Sequence, residues 1–374
     1  MKLRFSLALL LTSTLAVQGK SPEWVDPNVN EINRMPMHAT YFAHRSGEGQ
    51  DKTKSANYLN LDGRWKFNYV ENRDQRPGNE VFMPDYDDTS WGSMQVPGMW
   101  ELNGYGSPIY LNVGYPWRGN FKNNPPQTPD KENAVGTYRR NVTVPADWNG
   151  KDVIAHFGSA TSNLTLWVNG KRVGYGEDSK LAQEFDITPY IIPGKKNLIA
   201  LQVDRWCDGT YLEDQDFFRL TGLARENYLY AREKNRVEDI RINGDLSDDY
   251  TNGVLRYEAD IKGSGTLELK LVSPDGKVVA EAERKDARKR TDIVMDVANV
   301  EKWSAESPAL YSLVTTFTPK NGNAEVITLK VGFRKVEIKG AQLLVNGQPV
   351  LFKGADRHEL DPDGGYVVSM ERML

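Results

Sequence analysis

Apolar and polar residues alternate in short runs along most of this chain, and turn residues punctuate the runs. Tyr138 to Val144 alternates and stops at Pro145, while Val153 to Phe157 and Leu198 to Val203 are compact apolar runs. A period of two puts successive side chains on opposite faces of a strand. Leu164 to Val168, then Asn169-Gly170, then Arg172 to Tyr175 predicts a hairpin. Asn-Gly suits its turn because a type I′ turn needs positive φ at both central residues. No long amphipathic helix is readable here. Many short strands with turn signals predict a sandwich or jelly roll over residues 20–235, entered through an Asn-rich, Pro-dotted extended arm from residue 20 to about 60.

The charged stretch Ala231 to Arg236 reads as a linker. After it, strand patterns recur at Val237–Ile242, Val254–Ile261, Thr266–Val272, Val278–Ala282, Ile293–Val297, Leu310–Phe317 and Val326–Val331. About seven strands in about 100 residues match an immunoglobulin-like β-sandwich, here over 236–333. Pro274-Asp275-Gly276 supplies one of its turns, with a fixed φ and then a glycine. A third unit, 334–374, opens with Gln342–Val345, Asn346-Gly347 and Val350–Lys353, a second expected hairpin. Polar residues then cluster at Gly354 to Glu359, and Ser369 to Leu374 reads as the first turns of a helix. A strand with chemistry at its C-terminal end, followed by a helix, is how a βα unit of a TIM barrel begins. A closed barrel takes about 250 residues, so the sequence reads as truncated.

Composition changes this picture little. The chain has 374 residues, and 47 Lys and Arg against 51 Asp and Glu leave a net charge of −4, which argues against nucleic acid as the partner. The N-terminus adds more. Lys2 and Arg4 precede the apolar run Leu7 to Val17, and Val17 and Gly19 fit a cut after Gly19. That is the order of a secretory signal peptide, residues 1–19, and it predicts an exported protein, periplasmic or secreted. The run is shorter than the roughly 18 apolar residues of a membrane span, so no membrane anchor is expected. Cys207 is the sole cysteine and reads as a small buried residue beside Trp206.

Three clusters carry candidate chemistry. Tyr211-Leu212-Glu213-Asp214-Gln215-Asp216-Phe217-Phe218-Arg219 sets three carboxylates and an amide among aromatics. Such a cluster suits sugar hydroxyls or a hard cation, or else a turn pairing with Arg205, Arg219 and Arg225. Asp356, Arg357, His358, Glu359 and Asp361 offer a histidine among carboxylates for acid–base work. Pro108 to Trp117 is rich in aromatics and amides, as sugar-stacking loops are. Phosphate motifs are missing: Gly174-Tyr175-Gly176 is followed by Glu177-Asp178-Ser179 rather than a third glycine and a helix. The four histidines, His38, His44, His156 and His358, are scattered along the chain and show no metal-ligand spacing, and His156 reads as a core residue. The sequons at Asn141 and Asn163 fall inside strand patterns and read as coincidences of composition.

Several segments together resemble the N-terminal part of a lacZ-type β-galactosidase of glycoside hydrolase family two. They include Ile32-Asn33-Arg34-Met35-Pro36-Met37-His38, Leu59 to Phe67, Val96-Pro97-Gly98-Met99-Trp100, Pro108 to Val113, Leu166 to Gly176, Tyr211 to Asp216, Trp303 to Tyr311 and Lys353 to Glu359. The resemblance implies a mainly β chain: a galactose-binding-like jelly roll, an immunoglobulin-like sandwich and the opening of a catalytic (β/α)8 barrel. It implies retaining hydrolysis of terminal β-galactosides, lactose among them, by two glutamates about 5–5.5 Å apart. Neither glutamate has a counterpart here, so this chain alone is expected to be inactive. Asp216 resembles the carboxylate that touches galactose hydroxyls and helps hold sodium. His358 resembles the histidine that donates to the sugar, and Asn112 resembles the amide at the pocket mouth. Sodium and magnesium, no organic cofactor, a galactoside substrate and a homo-oligomer such as a tetramer are implied for the complete enzyme. Phe218 and Thr221 depart from the usual Trp and Ser. Two other readings stand beside this one: a stand-alone carbohydrate-binding or complementing module, and another family-two glycosidase such as a β-glucuronidase.

Overall fold

The computed structural model describes residues 21–213 and 215–374, so the expected signal peptide and Asp214 lie outside the described residues. Two antiparallel sheets face each other in the first half. One runs, in spatial order, Glu31–Ile32, Lys171–Glu177, Asn163–Val168, Lys196–Asp204, Val135–Thr143, Gly63–Val70 and Gly92–Val96. The other runs Gln183–Asp186, Asp152–Phe157, Asn227–Arg232 and Tyr58–Asn60. Chain-distant strands lie side by side in both, as in a jelly roll. The alternation read in the sequence is the one that packs: Trp65 and Phe67 turn inward while Arg64 stays exposed. They join Trp100, Tyr138, Trp148, Phe157 and Phe185 in one core. The Asn-Gly hairpin forms, with Val168 opposite Lys171 and positive φ at both Asn169 and Gly170.

The second sandwich has its own core, which includes Leu255, Tyr257, Leu267, Leu269, Phe317 and Phe333. Its strands are longer and fewer than the pattern predicts. The expected pair Val254–Ile261 and Thr266–Val272 is one strand of 20 residues, Gly253–Val272. Its first part pairs with Arg236–Leu246, and its last part pairs with Tyr311–Pro319. Val278–Val297 is likewise continuous and pairs along both parts. The glycines between the two runs look like a turn in sequence. In the fold they mark register shifts at Ile261/Ser264 and Gly265/Leu267, with Gly263 at φ +80°. Such bulges bend a strand without ending it.

The linker reading of Ala231 to Arg236 needs correction. Ala231 and Arg232 finish the strand Asn227–Arg232, and Arg236 opens the next strand. Arg232 is 4% exposed and Arg236 3%. Arg232 is held by Glu325 on the second sandwich, and Arg236 by Asp152 on the first at 2.7 Å. These charges join the two sandwiches, which is why they are buried. The arm ties to both as well: Glu31–Ile32 pairs with Lys171–Glu177, and His44–Arg45 with Glu325–Val331.

Beyond residue 335, Val336–Lys339, Gln342–Val345 and Gln348–Pro349 form a small sheet around the Asn346-Gly347 turn. Val350–Lys353, expected as its outer strand, lies in no ladder, and Leu351 and Phe352 are each 79% exposed. A parallel barrel strand is held by neighbours on both sides, whereas among the described residues this segment has only the Val350 N–H on the Leu343 carbonyl, at 3.1 Å. The expected helix start is present as Met370–Met373, capped by the Ser369 side chain. No helix among the described residues is long and apolar enough to cross a membrane.

Candidate functional site

A two-stranded ribbon sets up the site. Ile109–Leu111 pairs with Phe217–Arg219, with Leu111 opposite Phe217 and Ile109 opposite Arg219. The next step in that antiparallel register sets Asn112 opposite Asp216. The sugar-stacking loop and the carboxylate cluster, 104 residues apart in sequence (216 − 112), therefore meet as neighbours. The Tyr110 hydroxyl donates to Asp216 Oδ1 at 2.5 Å. That hydrogen bond raises the Tyr110 pKa, because ionising the phenol would set a second negative charge beside the carboxylate.

The segment from 354 onward lies over this ribbon. The His358 ring stacks on Phe217, with centroids 5.8 Å apart and planes at 24°. Tyr366 donates to the Phe218 carbonyl, and the Lys180 ammonium stands 3.5 Å from the Tyr366 ring centroid. Asp361 Oδ1 accepts from the backbone N–H groups of Asp363 and Gly364 and shapes the turn that brings Tyr366 back. Asp216 and His358 thus line one cleft of about 1080 Å³, with Lys180, Arg225, Arg357 and Tyr366 also in its wall. Asn112 is exposed beside Asp216 and is not part of that wall. A solvent-open carboxylate, an imidazole and aromatic faces in one cleft can grip hydroxyls and stack on a sugar ring.

A second carboxylate of the acidic cluster, Glu213, is held by a serine. Glu213 accepts from the Ser179 N–H at 2.8 Å and from the Ser179 hydroxyl. Burial raises its pKa against those bonds. Arg205 sits 3.6 Å from Glu101, and Arg225 donates to the Lys180 carbonyl. Sequence reasoning had no signal for Tyr110 as the partner of Asp216, nor for Lys180 and Tyr366.

The sodium that the resemblance assigns to Asp216 finds one carboxylate here. A hard cation takes about six oxygens, and no set of three His, Cys, Asp or Glu donors gathers at Asp216 among the described residues. Folding does build a metal-capable donor set that sequence spacing hid: Glu177, Cys207 and Asp208 are buried and offer ligand atoms within 4.8 Å of one another. None lines the cleft. Burial pushes the Cys207 thiol well up, so it is no ready nucleophile. Burial also raises the Glu177 carboxyl to about 8, with Asp208 adding to the rise. Glu177 therefore keeps its proton at neutral pH, while an unfolded chain would lose it near its ordinary 4.5. Folding binds the extra proton, so this pair costs stability progressively from about pH 4.5 to about 8. Glu177→Gln is expected to raise the melting temperature at pH 8, with little change near pH 4.5, in scans with a chelator present. An equal shift at both pH values would refute the retained proton on Glu177.

His38 and His156 also meet, although they lie far apart in sequence. His38 Nε2 is 2.9 Å from one Glu184 oxygen and His156 Nδ1 is 2.7 Å from the other. His156, expected in the core, is mostly but not fully buried, its side chain 15% exposed, and it faces a partner. Asn163 is fully buried and donates to Asp204, which leaves its sequon closed to modification in the fold.

Comparison with known proteins follows the same division of the chain. Residues 58–233 match the sugar binding domain of glycosyl hydrolases family 2, 235–334 match a second domain of that family, and 336–374 match its TIM barrel domain. A β-galactosidase of Priestia megaterium is 36% identical over 91% of this chain and 34% of its own length. One of Lactobacillus delbrueckii subsp. bulgaricus is 35% identical over 93% of this chain and 35% of its own. The chain thus spans about a third of the length of these curated relatives. A solved β-glucuronidase of Ruminococcus gnavus shares the fold, with a TM-score of 0.65 at 22% identity over 84% of this chain and 50% of that one. With three consecutive domain models of one family covering residues 58 to 374 almost without a gap, the chain belongs to glycosyl hydrolases family 2.

Proposed function

We propose that this chain is the sugar-gripping N-terminal portion of a retaining β-galactosidase that removes terminal β-galactose. The observation that carries the reading is Asp216 and His358 lining one cleft, with Phe217 stacked on the histidine between them. Asp216, held in place by Tyr110, accepts hydrogen bonds from the sugar hydroxyls. His358 donates to a sugar oxygen, and Asn112 reaches in from the rim. The acid/base and nucleophilic glutamates come from outside residues 1–374, as does the rest of the sodium and magnesium coordination. No organic cofactor takes part. Export belongs to the same proposal and rests on Lys2, Arg4 and Leu7 to Val17; a mature protein beginning at Lys20 is its check.

The cations Lys180, Arg225 and Arg357 in the cleft wall are what a β-glucuronidase would need to hold a carboxylate, so the assay includes both sugars. The 374-residue chain is expected to leave nitrophenyl β-galactoside intact. Joined to a complete barrel, it is expected to cleave that substrate and spare the β-glucuronide. Asp216→Asn in the joined protein should lower kcat/KM on the order of 100-fold, the size expected for a lost charge-assisted contact in a closed site. Preference for the glucuronide, or an Asp216→Asn protein with unchanged kcat/KM, would overturn the reading.

A further inference from the structure

The slight net negative charge hides a strongly basic segment. Arg284-Lys285-Asp286-Ala287-Arg288-Lys289-Arg290 lies within the strand Val278–Val297 of the second sandwich. That strand pairs only with Gly253–Val272, so its other edge carries no neighbour among the described residues. The register shifts opposite Ile261 to Leu267 break the in-and-out alternation at this place. Asp286 and Lys289 take positive φ, of 53° and 50°. As a result only Ala287 of the seven turns inward, and the other six are exposed.

Ion pairing leaves most of these cations free. Lys320 pairs with Asp286 at 2.8 Å, which neutralises the only acid inside the run. Arg290 is taken by Glu258 and Asp292. Arg284, Lys285, Arg288 and Lys289 make no ion pair among the described residues. Four unpaired cations on a kinked open edge form a local positive field in a chain whose net charge is −4.

We propose that this edge is a docking surface for a polyanionic glycan bearing sulfate or uronate groups. Six steps of strand at about 3.3 Å each span about 20 Å, long enough to follow several sugar residues of an extended chain. Single-stranded nucleic acid is the weaker match, because such sites stack bases on aromatic rings and the strand Val278–Val297 contains no Phe, Tyr, Trp or His. The surface lies on the second sandwich, so this inference stands whether or not the cleft proves to take galactosides.

The test measures binding of the intact chain to heparin, to polygalacturonate and to a mixed-sequence DNA duplex. Affinity for one or both glycans is expected to fall roughly 100-fold between 50 and 200 mM salt, as release of counterions at four contacts requires. Replacing Arg284, Lys285, Arg288 and Lys289 together by Gln should abolish this binding and leave the melting temperature unchanged. Replacing the exposed Lys122, Lys171, Lys195 and Lys196 by Gln removes the same charge elsewhere and should leave binding intact. Retention on heparin alone assigns the surface to sulfate, and retention on polygalacturonate alone assigns it to uronate. Equal losses from the two quadruple variants would overturn the proposal in favour of net charge. DNA bound as tightly through the same four residues would replace it with a nucleic-acid surface. A basic-edge variant that aggregates while binding glycan normally would leave the cations as edge protection and refute docking.

Discussion

Replacing Glu325 by Gln should lower the melting temperature of this protein by about 10 °C. Glu325 and Arg232 meet where the two sandwiches join, with side chains only 3% and 4% exposed. Arg232 Nε lies 3.1 and 3.2 Å from the two carboxylate oxygens, and Nη2 donates to one of them at 2.9 Å. Burial works against the guanidinium charge, and Glu325 with Tyr41 and Tyr230 together outweighs it, so Arg232 stays ionised. Glutamine leaves that charge buried among neutral acceptors only, its own amide oxygen and the Val237 carbonyl on Nη2. Breaking a buried pair from one side costs about 3–5 kcal/mol. At roughly 2–4 °C per kcal/mol for domains of this size, the drop is on the order of 10 °C. The exposed pair Lys270–Glu281, with side chains 56% and 58% exposed, is the control. Its Glu281→Gln variant should change stability by less than about 1 kcal/mol. An apolar pair, Arg232→Met with Glu325→Leu, should recover much of the loss, since desolvation of the charges is removed together with their attraction. A Glu325→Gln protein that melts like Glu281→Gln would sink the argument that this pair holds the sandwiches together.

That same pair shows where sequence reading stops. The jelly-roll strands were legible because alternation such as Arg64, Trp65, Lys66, Phe67 is dictated by a half-buried sheet. The two Asn-Gly turns were legible because few other dipeptides tolerate positive φ twice in a row. The long bent strands were not, since a bulge and a turn use the same glycines and differ only in whether the ladder resumes. Nor was the buried junction, because Arg232 and Arg236 look like any solvated charge until Glu325 and Asp152 arrive from 93 and 84 residues away. The cleft shows the same limit. Asp216, His358 and Asn112 came from a resemblance; their convergence depends on a ribbon register and on the ring of Phe217, which no local pattern encodes.

Glu184 is the second place where distant residues converge, and its loss should free the N-terminal arm. Its carboxylate receives His38 from the arm, His156 from the strand Asp152–Phe157 and the Tyr230 hydroxyl at 2.8 Å. Burial acts to raise the Glu184 pKa, but the bonds from His156 and His38 outweigh it and draw it down to about 2. The same bond from Glu184 raises the His38 pKa above 6.5, against burial and the nearby Arg232 charge. The depressed carboxyl contributes stability that is complete above its ordinary pKa of 4.5 and is lost as pH falls through about 2. The raised imidazole contributes stability that is complete below 6.5 and is lost as pH rises through its folded value. Docking of the arm should therefore be firmest between about pH 4.5 and 6.5. Glu184→Ala removes three hydrogen bonds, at least one of them charge-assisted, which amounts to about 3–5 kcal/mol of local stability. Limited proteolysis within residues 21–44 should be roughly 100-fold faster in the variant at about pH 5.5, with the gap narrowing toward pH 8.5. Tyr228, stacked on His156 at 4.4 Å, keeps that ring in place in both proteins, so the readout reports the arm. Equal cleavage rates at about pH 5.5 would show that the arm is held by its strand pairings at Glu31–Ile32 and His44–Arg45 and that Glu184 serves only to fill the sheet.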